Sequence, residues 1–258
     1  MPMITFFSLK GGTGKTTLCS TLGWLLADKG HSVLMIDLDP QGHLSQSLNR
    51  PLQNPVLSLF DVLIHGRPLA EAVEPSSFPR LSLVPAAESH LDLHTALLSQ
   101  PWREWKLKDA LSAMGPHPYD WILLDVGANL NLITYNALFA CRNLIIPTLP
   151  DVYSYLSLKT LFGFLQKSGR DFHYTFDTIW ILLNKLNNHR PLDRENRDAL
   201  KKYYQRFLIP VRVREDPKVP QAVKNQVPLP VLAPQSTAVR DLTKVVLFLE
   251  KIFPLTQG

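Results

Sequence analysis

The chain is poor in cysteine, in long apolar runs and in repeats, and each shortage removes a class of protein. Only Cys19 and Cys141 occur in 258 residues, both in apolar helical or helix-end contexts. They form no metal-ligand spacing and no disulfide framework, so they read as buried free thiols in a reducing compartment. No apolar run approaches the ~20 residues that a membrane-crossing helix needs. The N-terminus enters a strand pattern at Met3 with no basic-then-apolar leader, which points to the cytoplasm. There is no low-complexity tract, no self-similar period of roughly 20–50 residues and no evident linker. What remains is a chain that is 45% hydrophobic. That suits a single α/β domain over residues 1–258 with a substantial core.

Acidic residues are short in one place. Of 27 Lys and Arg, eleven fall between Lys185 and Lys224 against five acids, while the whole chain carries only +5. The rest of the molecule is therefore close to neutral. A local excess of this kind points to a polyanion, nucleic acid before membrane. A solvated helix face over 191–206 is the plain alternative.

What is abundant is concentrated at 10–17, Lys10-Gly11-Gly12-Thr13-Gly14-Lys15-Thr16-Thr17. An apolar stretch (3–7) precedes it, and Leu18, Leu22, Leu25 and Leu26 follow at helical spacing. Strand, glycine-rich loop and helix is the context of a phosphate-binding loop. Glycines let successive N–H groups turn inward around phosphate oxygens, and the helix aims its positive end at the same anion. Lys15 would reach the β/γ-phosphates and the Thr16 hydroxyl would ligate Mg²⁺. The usual pattern places glycine where this chain has Leu9, and Lys10 opens the loop instead.

The surrounding pattern alternates. Helix 16–29 ends at Lys29-Gly30, and 33–36 is a continuous apolar run that delivers Asp37-Leu38-Asp39-Pro40-Gln41-Gly42. A second run, Tyr119-Asp120-Trp121-Ile122-Leu123-Leu124-Asp125, ends on an acid. A short strand is expected at 81–84, with others at 143–147, 178–184 and 207–211. Helices are expected near 57–64, 88–99, 103–114, 152–168, 191–206 and 236–253. This order favours an α/β, doubly wound, mainly parallel sheet with helices on both faces.

The lysine-first loop resembles the deviant Walker A motif of the ParA/MinD group of P-loop ATPases, and the likeness runs from Met3 to the last helix. It implies ATP and Mg²⁺ as ligands, and a homodimer in the ATP state in which Lys10 reaches the partner subunit's ATP. The segment 37–42 matches the group's switch I, so Asp39 would orient the attacking water and Asp37 would support the metal's water shell. Asp125 matches the Walker B acid, although Val126-Gly127-Ala128 stands where the group usually has two prolines. Asn184 and Pro210 are assigned to the nucleotide. Arg212, Arg214, Lys218 and Lys224 are assigned to non-specific DNA, although the group's glycine-rich stretch is altered to Asp216-Pro217-Lys218-Val219-Pro220. A ParA-like partitioning ATPase, nucleoid-associated in its ATP state, with a ParB-like or cargo-adaptor partner is the leading expectation. A MinD-like membrane ATPase is the alternative, for which Pro254-Leu255-Thr256-Gln257-Gly258 is too short to form the amphipathic tail helix. Relatives that use an iron–sulfur cluster need cysteines after Asp125, and 126–130 has none.

Overall fold

The computed structural model describes residues 1–48, 57–86 and 90–254. The first two residues of the expected 88–99 helix, and the tail from Leu255, lie outside the described residues. In chain order the elements are β1 (Met3–Phe6), α1 (Lys15–Asp28), β2 (Val33–Asp37), α2 (His43–Ser47), α3 (Leu59–His65), β3 (Glu74–Pro75), β4 (Leu81–Val84), α4 (His90–Leu98) and α5 (Lys106–Ala113). They continue as β5 (Trp121–Asp125), α6 (Leu132–Ala140), β6 (Asn143–Thr148), α7 (Val152–Asp171), β7 (Thr178–Leu183), α8 (Pro191–Tyr204), α9 (Lys218–Lys224), α10 (Leu229–Leu232) and α11 (Thr237–Ile252).

Seven strands form one sheet in the order β3-β4-β2-β5-β1-β6-β7, parallel throughout except for β3 against β4. Every residue of β2 and β5 is buried, as unbroken apolar runs in central parallel strands should be. The two-residue period of a strand divides them between two cores. Leu34, Ile36, Ile122 and Leu124 pack with α3 to α8, while Val33, Met35, Trp121 and Leu123 pack with α1 and α11. Chain connections leave β1 toward β2 on one side and, later, toward β6 on the other. That reversal opens a crevice at the carboxyl end of β1, where open α/β sheets bind ligands.

The short elements α2, β3, α9 and α10 and the helix α6 are not expected from the sequence pattern, and one expected strand is not formed. The strand expected at 207–211 is instead a 3₁₀ turn (Gln205–Phe207) and an extended segment beside β7. Ile209 N–H donates to Ile181 O (2.9 Å), but the next bond to β7 comes only from Val213 N–H to Leu183 O (2.8 Å), so pairing is confined to isolated bridges. Pro210 follows a residue whose N–H faces β7, so its own ring stands on the outer side, where an edge tolerates proline. Helix α6 carries no amphipathic signal because eight of its nine residues are buried; the Asn131 side chain, accepting from Thr134 N, is its visible start signal.

Cys19 and Cys141 are buried free thiols. Burial pushes the Cys141 thiol up to about 12 and raises Cys19 as well, which removes thiolate chemistry from both. Among the described residues no helix is long and apolar enough to cross a membrane.

Candidate nucleotide site

The loop between β1 and α1 is built on two left-handed glycines, Gly12 (φ 73°) and Gly14 (φ 91°). Gly14 is needed twice over, because a Cβ there would also sit 2.5 Å from Asn184 Nδ2. The loop is fastened from the end of β7. Asn184 Nδ2 donates to Thr13 O (2.8 Å), and Lys185 Nζ donates to Gly12 O (2.9 Å). Asn184 Oδ1 accepts from Lys185 N (2.9 Å), so the side chain ties the end of β7 both to the loop and to its own backbone. Lys185 was not anticipated; the Asn-Lys pair at a strand end was its only signal. Inside the loop the Ser8 and Thr13 hydroxyls share a 2.8 Å hydrogen bond.

Parallel pairing of β2 with β5 sets Asp37 level with Asp125 at the carboxyl edge of the sheet. Burial pushes Asp37 up to about 7, against hydrogen bonds from Ser45 Oγ (2.7 Å), Ser45 N (2.8 Å) and Asp39 N (3.2 Å). Asp125 is held well above the carboxylate range by burial first and Asp37 second, with Thr16 and Lys15 pulling the other way. Neither of its oxygens reaches full hydrogen-bond geometry with a described residue. Lys15 is itself buried, which lowers its pKa, while Asp125 and Asp39 draw it back up. Two buried carboxylates side by side, one of them lacking partners, are a poor arrangement without a cation. The residues therefore fit magnesium. No three His, Cys, Asp or Glu among the described residues are grouped to hold an ion directly. Such a site suits Mg²⁺, which keeps several waters and takes phosphate oxygens, with Thr16 as the side-chain ligand.

Asp39 differs from Asp37. It is only half-buried, its Oδ1 accepts from Gln41 N (3.0 Å), and it faces a cavity of about 470 Å³. The loop, Ser20, Gln46, Lys185 and the stretch 222–229 line the same cavity. Lys224 belongs to this wall, so the structure places it beside the nucleotide cleft rather than on a remote basic face. Pro210 lies elsewhere, in a groove with Lys201, Lys202 and Arg212, because its segment runs along the outer edge of β7. Gly127 sits close to switch I; a Cβ there would meet Asp39 Oδ2 at 3.5 Å, an ordinary contact, so space does not explain the missing prolines.

Lys10 is the residue whose surroundings the sequence did not reveal. Its Nζ lies 2.5 Å from Asp151 Oδ2 and 3.5 Å from Ser154 Oγ, at the start of α7. Asp151 also caps that helix, taking Ser154 N at 2.7 Å. Burial would raise the Asp151 carboxyl, but Lys10 and Ser154 outweigh it and hold it below its usual value. To reach a second subunit, Lys10 must exchange this carboxylate for phosphate.

Residues 1–176 match the AAA domain family. The chain is also 35% identical over 241 residues to the cell division protein PomZ of Myxococcus xanthus, across 93% of this chain and 75% of that one. The chain belongs to the ParA/MinD group of P-loop ATPases. The chromosome partitioning protein ParA of the same organism is 29% identical over 216 residues, covering 82% and 76% of the two chains. The ATP complex of McdA from Cyanothece superposes with a TM-score of 0.84 at 20% identity, over 100% of this chain and 98% of that one, which shows the fold.

In this ParA/MinD-type ATPase the basic residues expected at DNA separate into different settings. The Arg214 guanidinium is spent on buried Asp241, with Nε–Oδ2 2.8 Å and Nη2–Oδ1 2.7 Å, while its backbone N–H also reaches Oδ2 (3.1 Å). It fastens the 208–214 segment to α11. Lys218 is exposed and donates to Gln221 Oε1 (3.2 Å). Arg212 is exposed and shares the α8 groove with Lys201 and Lys202.

Proposed function

We propose that residues 1–258 act as one ATPase domain that dimerises on Mg–ATP, binds DNA without sequence preference, and releases it on hydrolysis to partition or position a cargo. The observation that carries this reading is the convergence of Lys15, Thr16 and Asp39 on one cleft, with Asp37 and Asp125 buried at the sheet edge behind it and Lys10 opening the same loop. Lys15 and the loop amides hold the phosphates, Thr16 and the waters of Asp37 and Asp125 hold the metal, and Asp39 orients water. Phosphoryl transfer needs little more than such positioning and charge neutralisation. Lys10, supplied by the second subunit, adds a cation where charge builds up, which couples turnover to dimerisation. A ParB-like or cargo-adaptor partner would stimulate hydrolysis, and the ATP state would reside on the nucleoid.

The DNA surface in this reading is the α8 groove, where Lys201, Lys202 and Arg212 stand close to one acid, Asp198, already paired with Arg197. Two copies in one dimer convert weak phosphate contacts into useful affinity. Lys202→Glu with Arg212→Glu should weaken DNA retention in the ATP state and flatten its salt dependence by about 0.9 per lost phosphate contact per subunit. Basal ATPase should not change. Retention equal to wild type across a salt series would remove this surface from the account.

A further inference from the structure

Switch I and the far wall of the cleft are distant in sequence, yet a chain of side-chain bonds joins them. Gln226 Nε2 donates to Gln46 Oε1 at 3.2 Å, across 180 residues of sequence. The other end of the same Gln46 amide, Nε2, donates to Gln41 O at 3.3 Å. Gln41 N in turn donates to Asp39 Oδ1 at 3.0 Å. The path therefore runs without a gap from the 222–229 wall to the carboxylate assigned to the attacking water. Asp39, Gln46 and Gln226 all line the cavity.

Each end of the path is held. Gln226 sits in the left-handed region (φ 53°), with its N–H on Val223 O (3.1 Å), and the following Val227 N–H returns to Ala222 O (3.2 Å). That conformation costs an ordinary residue about 1 kcal/mol, and these two hydrogen bonds hold the backbone at Gln226 in place. At the other end, α2 is anchored one residue before Gln46. Ser45 gives both its N–H and its hydroxyl to Asp37, and its oxygen accepts from Ala86 N (2.9 Å). Gln46 is thus a single planar amide between two fixed points. If its Oε1 loses the Gln226 donor, nothing described holds the amide plane except Gln41.

The loop lines one part of the cleft, and the apolar side chains of Ala222, Val223, Val227 and Leu229 line the same cavity together with Lys224 and Gln226. A slot of that composition suits a flat base better than phosphate. Pro210 lies outside the cleft, which leaves this wall as the cleft's apolar side. From this we infer that Gln46 and Gln226 are positioning residues: a base seated against the 222–229 wall steadies Gln226, and the Gln226–Gln46–Gln41 path sets the Asp39 carboxylate. The inference rests on the cleft being the ATPase site.

The test uses the full chain with Gln46→Met, Gln226→Met and the double variant, which keep side-chain length and remove the amides. Steady-state ATPase is measured across ATP concentration, with thermal unfolding as a check on folding. Each single variant should lose about five- to tenfold in kcat, with KM within about twofold of wild type, because a carboxylate set slightly off line costs rate rather than ground-state binding. The double variant should lose no more than the worse single one, as expected for two links in one path. Unchanged kcat, a loss confined to KM, or single losses that multiply in the double variant would overturn the inference. An inactive wild type would instead strike at the ATPase reading itself.

Discussion

Lys15→Ala is expected to abolish useful nucleotide binding. The side chain is the only cation buried against the three carboxylates Asp37, Asp39 and Asp125, and it follows directly on the loop's last glycine. Alanine removes the charge-assisted bonds to the β/γ-phosphates and leaves buried anions facing an anionic ligand. Truncating one partner of a buried, hydrogen-bonded charge pair costs roughly 2–5 kcal/mol. That corresponds to a Kd raised from about thirtyfold to several thousandfold. The buried carboxyls would also lose their internal cation, so both would shift further toward the neutral form. Titration of a fluorescent ATP analogue reads the effect directly, and undiminished affinity would remove the site assignment.

Asp39→Ala is expected to separate binding from turnover. Asp37 and Asp125 are poor candidates for the water-orienting group: Asp37 has both oxygens engaged by Ser45 and Asp39 N, and Asp125 is buried behind Thr16. Asp39 alone of the three lines the open cavity and is half-exposed. Its loss should leave the phosphate cradle intact and lower kcat by about 10²–10⁴-fold. Because ATP then persists, the dimer should persist too, visible as a stable doubled mass on size exclusion with light scattering. Wild-type turnover in this variant would contradict the switch I role.

How much of this could be read beforehand follows the distance between partners along the chain. The loop, 37–42 and 119–125 are local patterns in which strand, turn and acid adjoin, and the structure places them as expected. The level pairing of Asp37 with Asp125 comes from β2–β5 register, which no short motif contains. Lys10 and Asp151 are 141 residues apart, and no local pattern in the sequence joins them. Asn184 was legible as a strand-end asparagine, but its side chain turned out to meet Thr13 and not open space. Arg214 was assigned to DNA by its position in the segment, and its pairing with buried Asp241, 27 residues on, was not legible there. Pro210 sat inside a run that read as a strand, but the structure pairs that run with β7 only at isolated bridges. Helix α6, buried nearly all round, has no polar face to give it a period.

The claim that organises the mechanism is that Lys10 acts on the other subunit's ATP, and a mixed dimer tests it. Lys10→Ala and Asp39→Ala are each expected to be inactive alone. When the two are mixed in equal amounts before ATP is added, a mixed dimer holds one competent site: the Lys10→Ala subunit keeps its own Asp39 and receives Lys10 from its partner. Random pairing should restore activity to about a quarter of the wild-type rate. A mixture no more active than its two parents would show that Lys10 serves the nucleotide of its own subunit, and the account of trans activation would be wrong.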